Sequence, residues 1–263
     1  MLLAPILILL TVAGCGLFFL KPVWFPLPVN AEALAFDQQF GRTLWICGII
    51  FVALQLLLAW AIFRGRRGVR EAGNTLPGRS RSTWLEVTWT TATAVLFLSL
   101  AAAGSRGWAK VPSRSESKET IEVYAHQFAW NFRYPGPDRR FGVTGTQFIS
   151  DAGGNPFGID PADKAGTDDI VTASLRIPAG RDVLLLLHAR DVIHDFFVRE
   201  LRTKQDIVPG MEIPLEVHVD QPGQYEIACA ELCGLGHSQM RSLLIVMPAP
   251  EYDTWKQSQE PQR

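Results

Sequence analysis

The chain has 263 residues, enough for one or two domains. Only 8 of its 25 Lys/Arg and 4 of its 26 Asp/Glu fall in the first 104 residues. With 48% hydrophobic residues and no basic stripe it is neither a disordered protein nor a nucleic-acid binder, and the split describes a membrane-anchored front joined to a soluble, mildly acidic back.

Residues 1–20 carry no charge. Val12-Ala13-Gly14-Cys15 has the small residues of a lipid-modified cleavage site, although a basic leader is missing. The segment reads as signal-like or as an extra membrane helix. Residues 21–42 are expected to form an outer linker, irregular over 22–31 because of Pro22, Pro26 and Pro28. Residues 43–63 and 87–105 are uncharged runs of 21 and 19 residues. At 1.5 Å per residue, about 20 residues cross a hydrocarbon core of about 30 Å, so both qualify as membrane spans. Between them lie Arg64, Arg66, Arg67, Arg70, Arg79 and Arg81 against Glu71. The positive-inside rule puts that connector in the cytoplasm and residues 106–263 outside, so 43–105 reads as an antiparallel transmembrane hairpin. Glu86 sits at the cytoplasmic end of the second span. It is either an interfacial carboxylate or part of a proton path.

Beyond Gly107 the hydrophobic period becomes two. Residues 120–125, 126–134, 170–177, 183–188, 213–219, 225–228 and 243–247 are expected strands, bounded by Pro-Gly and Pro-Ala-Gly turns. No long helical period interrupts them, which predicts one antiparallel β-sandwich or barrel. A short terminal helix is expected over 250–258. Residues 135–169 break the rhythm with Gly, Pro and acids that include Asp151, Asp160, Asp163, Asp168 and Asp169. They read as a solvated insertion, with calcium as a second reading.

The chemistry concentrates in Cys229-Ala-Glu-Leu-Cys233-Gly-Leu-Gly-His237-Ser-Gln-Met240, directly after an expected strand. Another histidine, His194, lies upstream in Asp191-Val-Ile-His-Asp-Phe-Phe. A Cys229–Cys233 disulfide suits an oxidising compartment but gives His237 and Met240 no role. Zinc in a Cys2His2 site leaves Met240 unused and departs from the usual C-x2-C spacing. Copper uses thiolate, imidazole and thioether together, the soft set it prefers, and two such cysteines can bridge two copper ions. His126, His188 and His218 fall in expected strands and read as surface or satisfied core groups. Cys47 reads as a small apolar filler, and Met211 and Met247 as core.

The pattern C-x-E-x-C-x3-H-x2-M with an upstream D-V-x-H resembles the dinuclear CuA site of the cytochrome c oxidase subunit II family. Lys204-x-Asp206-x-x-Pro209-Gly210 and Trp84-Leu-Glu86-x-x-Trp89-Thr90 are similar to further family segments. The resemblance implies a two-helix transmembrane hairpin plus an all-β cupredoxin-like Greek-key domain over 106–263. It implies two copper ions at His194, Cys229, the Glu231 carbonyl, Cys233, His237 and Met240. The Glu231 carboxylate would help bind magnesium at subunit I, and Glu86 would mark the entrance of a proton channel. The implied function is to take electrons from cytochrome c and pass them to haem in subunit I, where oxygen is reduced to water. The implied partners are subunit I, subunit III, cytochrome c and the lipid of a bacterial plasma (inner) membrane, with no nucleic acid.

Two positions depart from the family. Gln127-Phe128-Ala129-Trp130 stands where Gln-Trp-x-Trp is usual, so Trp130 becomes the candidate for electron acceptance in place of the missing first Trp. Asp195 stands where Ser is common. A CuA subunit of a nitric oxide reductase and a membrane-anchored, non-catalytic copper carrier are the alternative functions. The outer domain holds 17 Lys/Arg and 22 Asp/Glu, a net charge of −5 that suits a basic donor, with Asp191 as a docking candidate.

Overall fold

The computed structural model describes residues 3–18, 26–68, 83–108 and 119–259, in two compact units. The first unit is helical, with α1 (Leu3–Phe18), α2 (Ala31–Gly68) from Ala35 onward, and α3 (Thr83–Trp108). Both α2 and α3 are long and apolar enough to cross a membrane. Their apolar side chains are exposed all round, including Leu54, Leu57, Trp60, Phe97 and Leu98. A helix apolar on every face is stable only with lipid or protein around it. The hydroxyls of α3 suit that setting. Thr88, Thr93 and Ser99 donate to the carbonyls of Trp84, Trp89 and Leu96, which satisfies these hydroxyls within the helix. The connector arginines Arg70, Arg79 and Arg81 lie outside the described residues.

The start of α2 differs from the expected linker. The helix begins at Ala31, well before the uncharged run. Asn30 explains this. Its Oδ1 accepts from Ala33 N at 2.8 Å, an N-cap bond that satisfies an orphan donor, and Glu32 in the first turn complements the helix dipole. Asn30 Nδ2 donates to the His218 carbonyl at 2.8 Å, so residues 27–34 belong to the β unit.

That unit is a sandwich of two five-stranded sheets. One has β1 (Glu119–His126), β2 (Ala129–Tyr134), β3 (Ile170–Thr172), β5 (Asp182–Ala189) and β8 (Ile213–His218), in the order β3-β2-β1-β5-β8. The other has β4 (Leu175–Pro178), β6 (His194–Val198), β7 (Thr203–Ile207), β9 (Gly223–Cys229) and β10 (Arg241–Met247), in the order β4-β10-β9-β6-β7. Alternate residues point inward, among them Ile121, Val123 and Ala125 of β1, Val183, Leu185 and Leu187 of β5, Phe196 and Val198 of β6, and Ile227 of β9. Burying one such side chain is worth about 1.5–3 kcal/mol. The short helix α4 (Ala249–Ser258) buries Tyr252.

The sheets are mixed where purely antiparallel pairing was expected. β1 runs parallel to β5, and β4 parallel to β10. The expected strand 126–134 is broken at Gln127–Phe128. The expected strand 170–177 splits into β3 and β4, which join different sheets. Met211, read as core, is 54% exposed after the Pro209-Gly210 turn, where Gly210 takes φ +80°.

The insertion is bolted down through Arg133. This buried guanidinium meets Glu122 at 2.6 Å and Asp169 at 3.3 Å, donates to the Gly142 carbonyl at 3.1 Å, and stacks on Phe141 and Phe157. The expected calcium ligands are otherwise engaged. Asp151 pairs with Arg190, Asp163 accepts from Val143 N and Ala165 N, and Asp160 accepts from Ala162 N. Asp168 accepts from Asp138 N, and Asp169 from Gly142 N. Among the described residues these five acids form no metal-holding group.

Candidate metal centre

The centre is built where three strand ends meet. His194 opens β6, Cys229 closes β9 and Met240 directly precedes β10. β6 pairs with β9 through Phe196 and Cys229, which sets His194 beside the end of β9. β9 and β10 are antiparallel, and residues 230–240 connect them. Cys229 N donates to the Met240 carbonyl at 3.1 Å and closes the neck of that loop. Ala230 N donates to the Asp195 carbonyl at 3.3 Å and ties the loop to β6. Gly234 takes φ +137°, a conformation that disfavours any side chain.

The donor atoms converge. The Cys229 and Cys233 sulfurs are 3.9 Å apart, far beyond the roughly 2.05 Å of a disulfide. His194 Nδ1 lies 3.8 Å from the Cys229 sulfur, and His237 Nδ1 lies 3.6 Å from the Cys233 sulfur. The Met240 sulfur is 3.8 Å from Cys233, and the Glu231 carbonyl is 3.2 Å from Cys229. His194, Cys229, Cys233 and Met240 are buried, His237 is half-buried and the Glu231 side chain is exposed. His194, Cys229 and Cys233 form a group able to hold a metal ion.

The donor set fits copper. Two sulfurs, two imidazole nitrogens and a thioether are soft or borderline donors, and a hard cation would find one carbonyl. Burial, with the Cys229 thiol beside it, pushes the Cys233 thiol up to about 11. Two adjacent thiolates therefore need a cation to stay ionised.

The outer shell orients these groups. Asp191 Oδ1 accepts from His194 Nε2 at 2.8 Å and from Val192 N at 2.8 Å, while Oδ2 accepts from Gln127 N at 2.8 Å. Burial pushes the Asp191 carboxyl up, but the bonds from Gln127, His194 and Val192 outweigh it and hold the group below its ordinary range. Asp191 is exposed, yet its two carboxyl oxygens accept from Gln127, His194 and Val192. Gln127 Nε2 donates to the Cys233 carbonyl at 2.5 Å. Asp195 is buried, and its carboxyl lies beside that of Asp206, its register partner on β7. Burial, with Asp206 facing it across β7, raises it to about 7.

The two aromatics differ in exposure. Trp130 is 2% exposed, edge-on to Phe196 at 5.9 Å, and its Nε1 donates to the Met240 carbonyl at 3.4 Å. Phe128, 37% exposed, is the aromatic at the surface, and it lies against Gly234 and Gly236 of the loop. Sequence reasoning quoted Gln127 only as part of the aromatic motif. Its bonds to Asp191 and Cys233 reach across the fold and leave no local signal.

The other histidines are engaged away from the centre. His126 lies between Arg190 and Asn131, and His218 between Asp182 and Asp220. His188 approaches Glu212 at 3.9 Å.

Residues 119–247 match the family model for the periplasmic domain of cytochrome c oxidase subunit II. The alternative cytochrome c oxidase subunit 2 of Bradyrhizobium diazoefficiens is 34% identical over 98% of this chain and 92% of its own length. Cytochrome c oxidase subunit 2 of Thermostichus vulcanus is 30% identical over 89% of this chain and 78% of its own. Among solved structures, the periplasmic domain of subunit II of cytochrome oxidase from Bradyrhizobium japonicum is 20% identical, with a TM-score of 0.40, and covers 56% of this chain and 96% of that one. With a full-length relative at this identity, the chain belongs to the cytochrome c oxidase subunit II family and is a component of a haem-copper oxidase.

Proposed function

We propose that this subunit receives electrons from cytochrome c at two copper ions and passes them to haem in subunit I, where oxygen becomes water. The observation that carries this reading is the convergence of five soft or borderline side-chain donors and one carbonyl where three strand ends meet. His194, Cys229, Cys233, His237 and Met240 would hold copper there, which would supply one-electron exchange.

The chain's own residues supply the rigidity. Asp191 fixes the His194 ring so that Nδ1 faces Cys229. The neck bond between Cys229 and Met240 and the buried Trp130 hold the loop on a β-scaffold, and a preorganised site rearranges less. The exposed Glu231 carboxylate is placed on the same loop to help bind magnesium where subunit I docks. Glu86, in the first turn of α3, is proposed as the mouth of a proton channel in subunit I. The two apolar helices anchor the chain beside subunits I and III in a bacterial plasma membrane, with the β unit on the outer face.

Copper titration of the detergent-solubilised full chain tests the reading. Two coppers per chain, with an EPR spectrum split by two equivalent nuclei, is the expected result. One localised copper, or preferred uptake of zinc, overturns it.

A further inference from the structure

Gln127 touches both segments that carry the donor atoms. Its backbone N–H donates to Asp191 Oδ2 at 2.8 Å, and the other Asp191 oxygen holds His194 Nε2 at 2.8 Å. Its side-chain amide donates to the Cys233 carbonyl at 2.5 Å. The first bond belongs to the His194 segment and the second to the middle of the 230–240 loop. The ends of that loop are already tied, by Cys229 N to the Met240 carbonyl and by Ala230 N to the Asp195 carbonyl. The middle of the loop gains its brace from Gln127. The approach is close enough that a Cβ on Gly234 would lie 2.9 Å from Gln127 Nε2.

We infer that Gln127 is a positioning residue that locks the Cys233–His237 half of the centre to the His194–Cys229 half. This rests on the copper reading above. The brace acts on the main chain beside one sulfur and, through Asp191, on the opposite imidazole. Its loss shifts one half of the donor set against the other without removing a donor. Outer-shell partners of this kind are worth roughly 10- to 100-fold in metal affinity.

Gln127→Leu keeps the side-chain bulk and the backbone bond to Asp191, and deletes the bond to Cys233. In the copper-loaded full chain the variant is expected to take up two coppers and lose them to a chelator roughly 10- to 100-fold more readily. Its EPR lines are expected to become those of two unequal nuclei. Gln127→Glu, which turns an acceptor toward the Cys233 carbonyl, is expected to act in the same direction and more strongly. If both variants keep the wild-type spectrum and chelator resistance, the positioning role is overturned, even with a lower melting temperature. A second readout needs no metal. In the copper-free chain, alkylation of Cys233 mapped by mass spectrometry is expected to be several-fold faster in Gln127→Leu, because the loop is released. An unchanged rate overturns the inference. A wild-type chain that binds no copper pair but shows the alkylation difference would instead sink the copper reading and leave the brace standing.

Discussion

The Asp191 carboxylate accepts from His194 Nε2 at 2.8 Å and thereby leaves Nδ1 toward the Cys229 sulfur at 3.8 Å. A ring with its proton on Nε2 offers its Nδ1 lone pair to a metal, so the carboxylate sets both tautomer and direction. Asp191→Ala removes that control. Copper affinity is expected to fall roughly 10- to 100-fold in competition with a chelator. An affinity equal to wild type would mean that the ring is oriented by packing alone.

Met240 allows donor chemistry to be separated from packing. It is fully buried, with its sulfur 3.8 Å from Cys233. Met240→Leu is nearly volume-conserving and is expected to cost less than about 1.5 kcal/mol in denaturant unfolding of the copper-free chain. The visible and EPR spectra of the copper-loaded form are nevertheless expected to shift, because the thioether is gone. An unchanged spectrum would remove Met240 from the donor set.

The contrast between these residues explains what the sequence could disclose. Cys229, Cys233, His237 and Met240 are local in the chain, and their residue types and spacing point to a soft metal before any fold is known. His194 joins them only as a further histidine upstream, because no spacing rule links two segments brought together by β6 and β9. Asp191, expected as a docking charge, is exposed and also holds His194, a bond that charge alone does not disclose. The parallel pairs β1–β5 and β4–β10 were invisible for a similar reason. Period two says which face is buried, not which strand lies alongside. β7 went unnoticed because Thr203-Lys-Gln-Asp-Ile207 has a single buried residue and sits at a sheet edge. The N-cap at Asn30, by contrast, was readable. It lies just after Pro22, Pro26 and Pro28, which suit a linker.

The insertion depends on one guanidinium. Arg133 satisfies Glu122 and Asp169 in a buried setting, with exposures of 3% for Arg133 and 0% for Asp169. Arg133→Ala leaves two carboxylates unpaired, and the expected loss is about 3–5 kcal/mol in chemical unfolding. A loss under about 1 kcal/mol would show the insertion to be held by its own turns.

Asp169 gives the same region a pH dependence. Burial is the largest influence on it and raises its carboxyl to about 6, above the ordinary value of about 3.9 in an unfolded chain. Between those values the folded state binds more protons than the unfolded one. Stability contributed here therefore rises as pH falls from about 6 toward 4, and is flat above. Melting curves of wild type and Asp169→Asn across pH 4–7 check this, and the difference between them is expected to change with pH in that window. A constant difference would mean that Asp169 is ionised throughout.

On the proposed reading, electrons from a donor enter beside Phe128, the exposed aromatic at the loop, while Trp130 is buried beneath. Phe128 reaches its position through a glycine. A Cβ on Gly236 would lie 2.4 Å from Phe128 Cδ2, and Gly236 precedes His237, whose Nδ1 faces the Cys233 sulfur. A donor resting on Phe128 is thus one residue from a proposed copper ligand. Phe128→Ala strips the contact while leaving every donor atom in place. Copper content and spectrum are expected to stay as in wild type, while the stopped-flow rate of reduction by cytochrome c falls at least several-fold. Gly236→Ala is expected to do the same by displacing the ring. Reduction by a small ruthenium reductant, which needs no docking face, is expected to be unaffected in both. If cytochrome c reduces Phe128→Ala at the wild-type rate, the donor docks elsewhere on the loop.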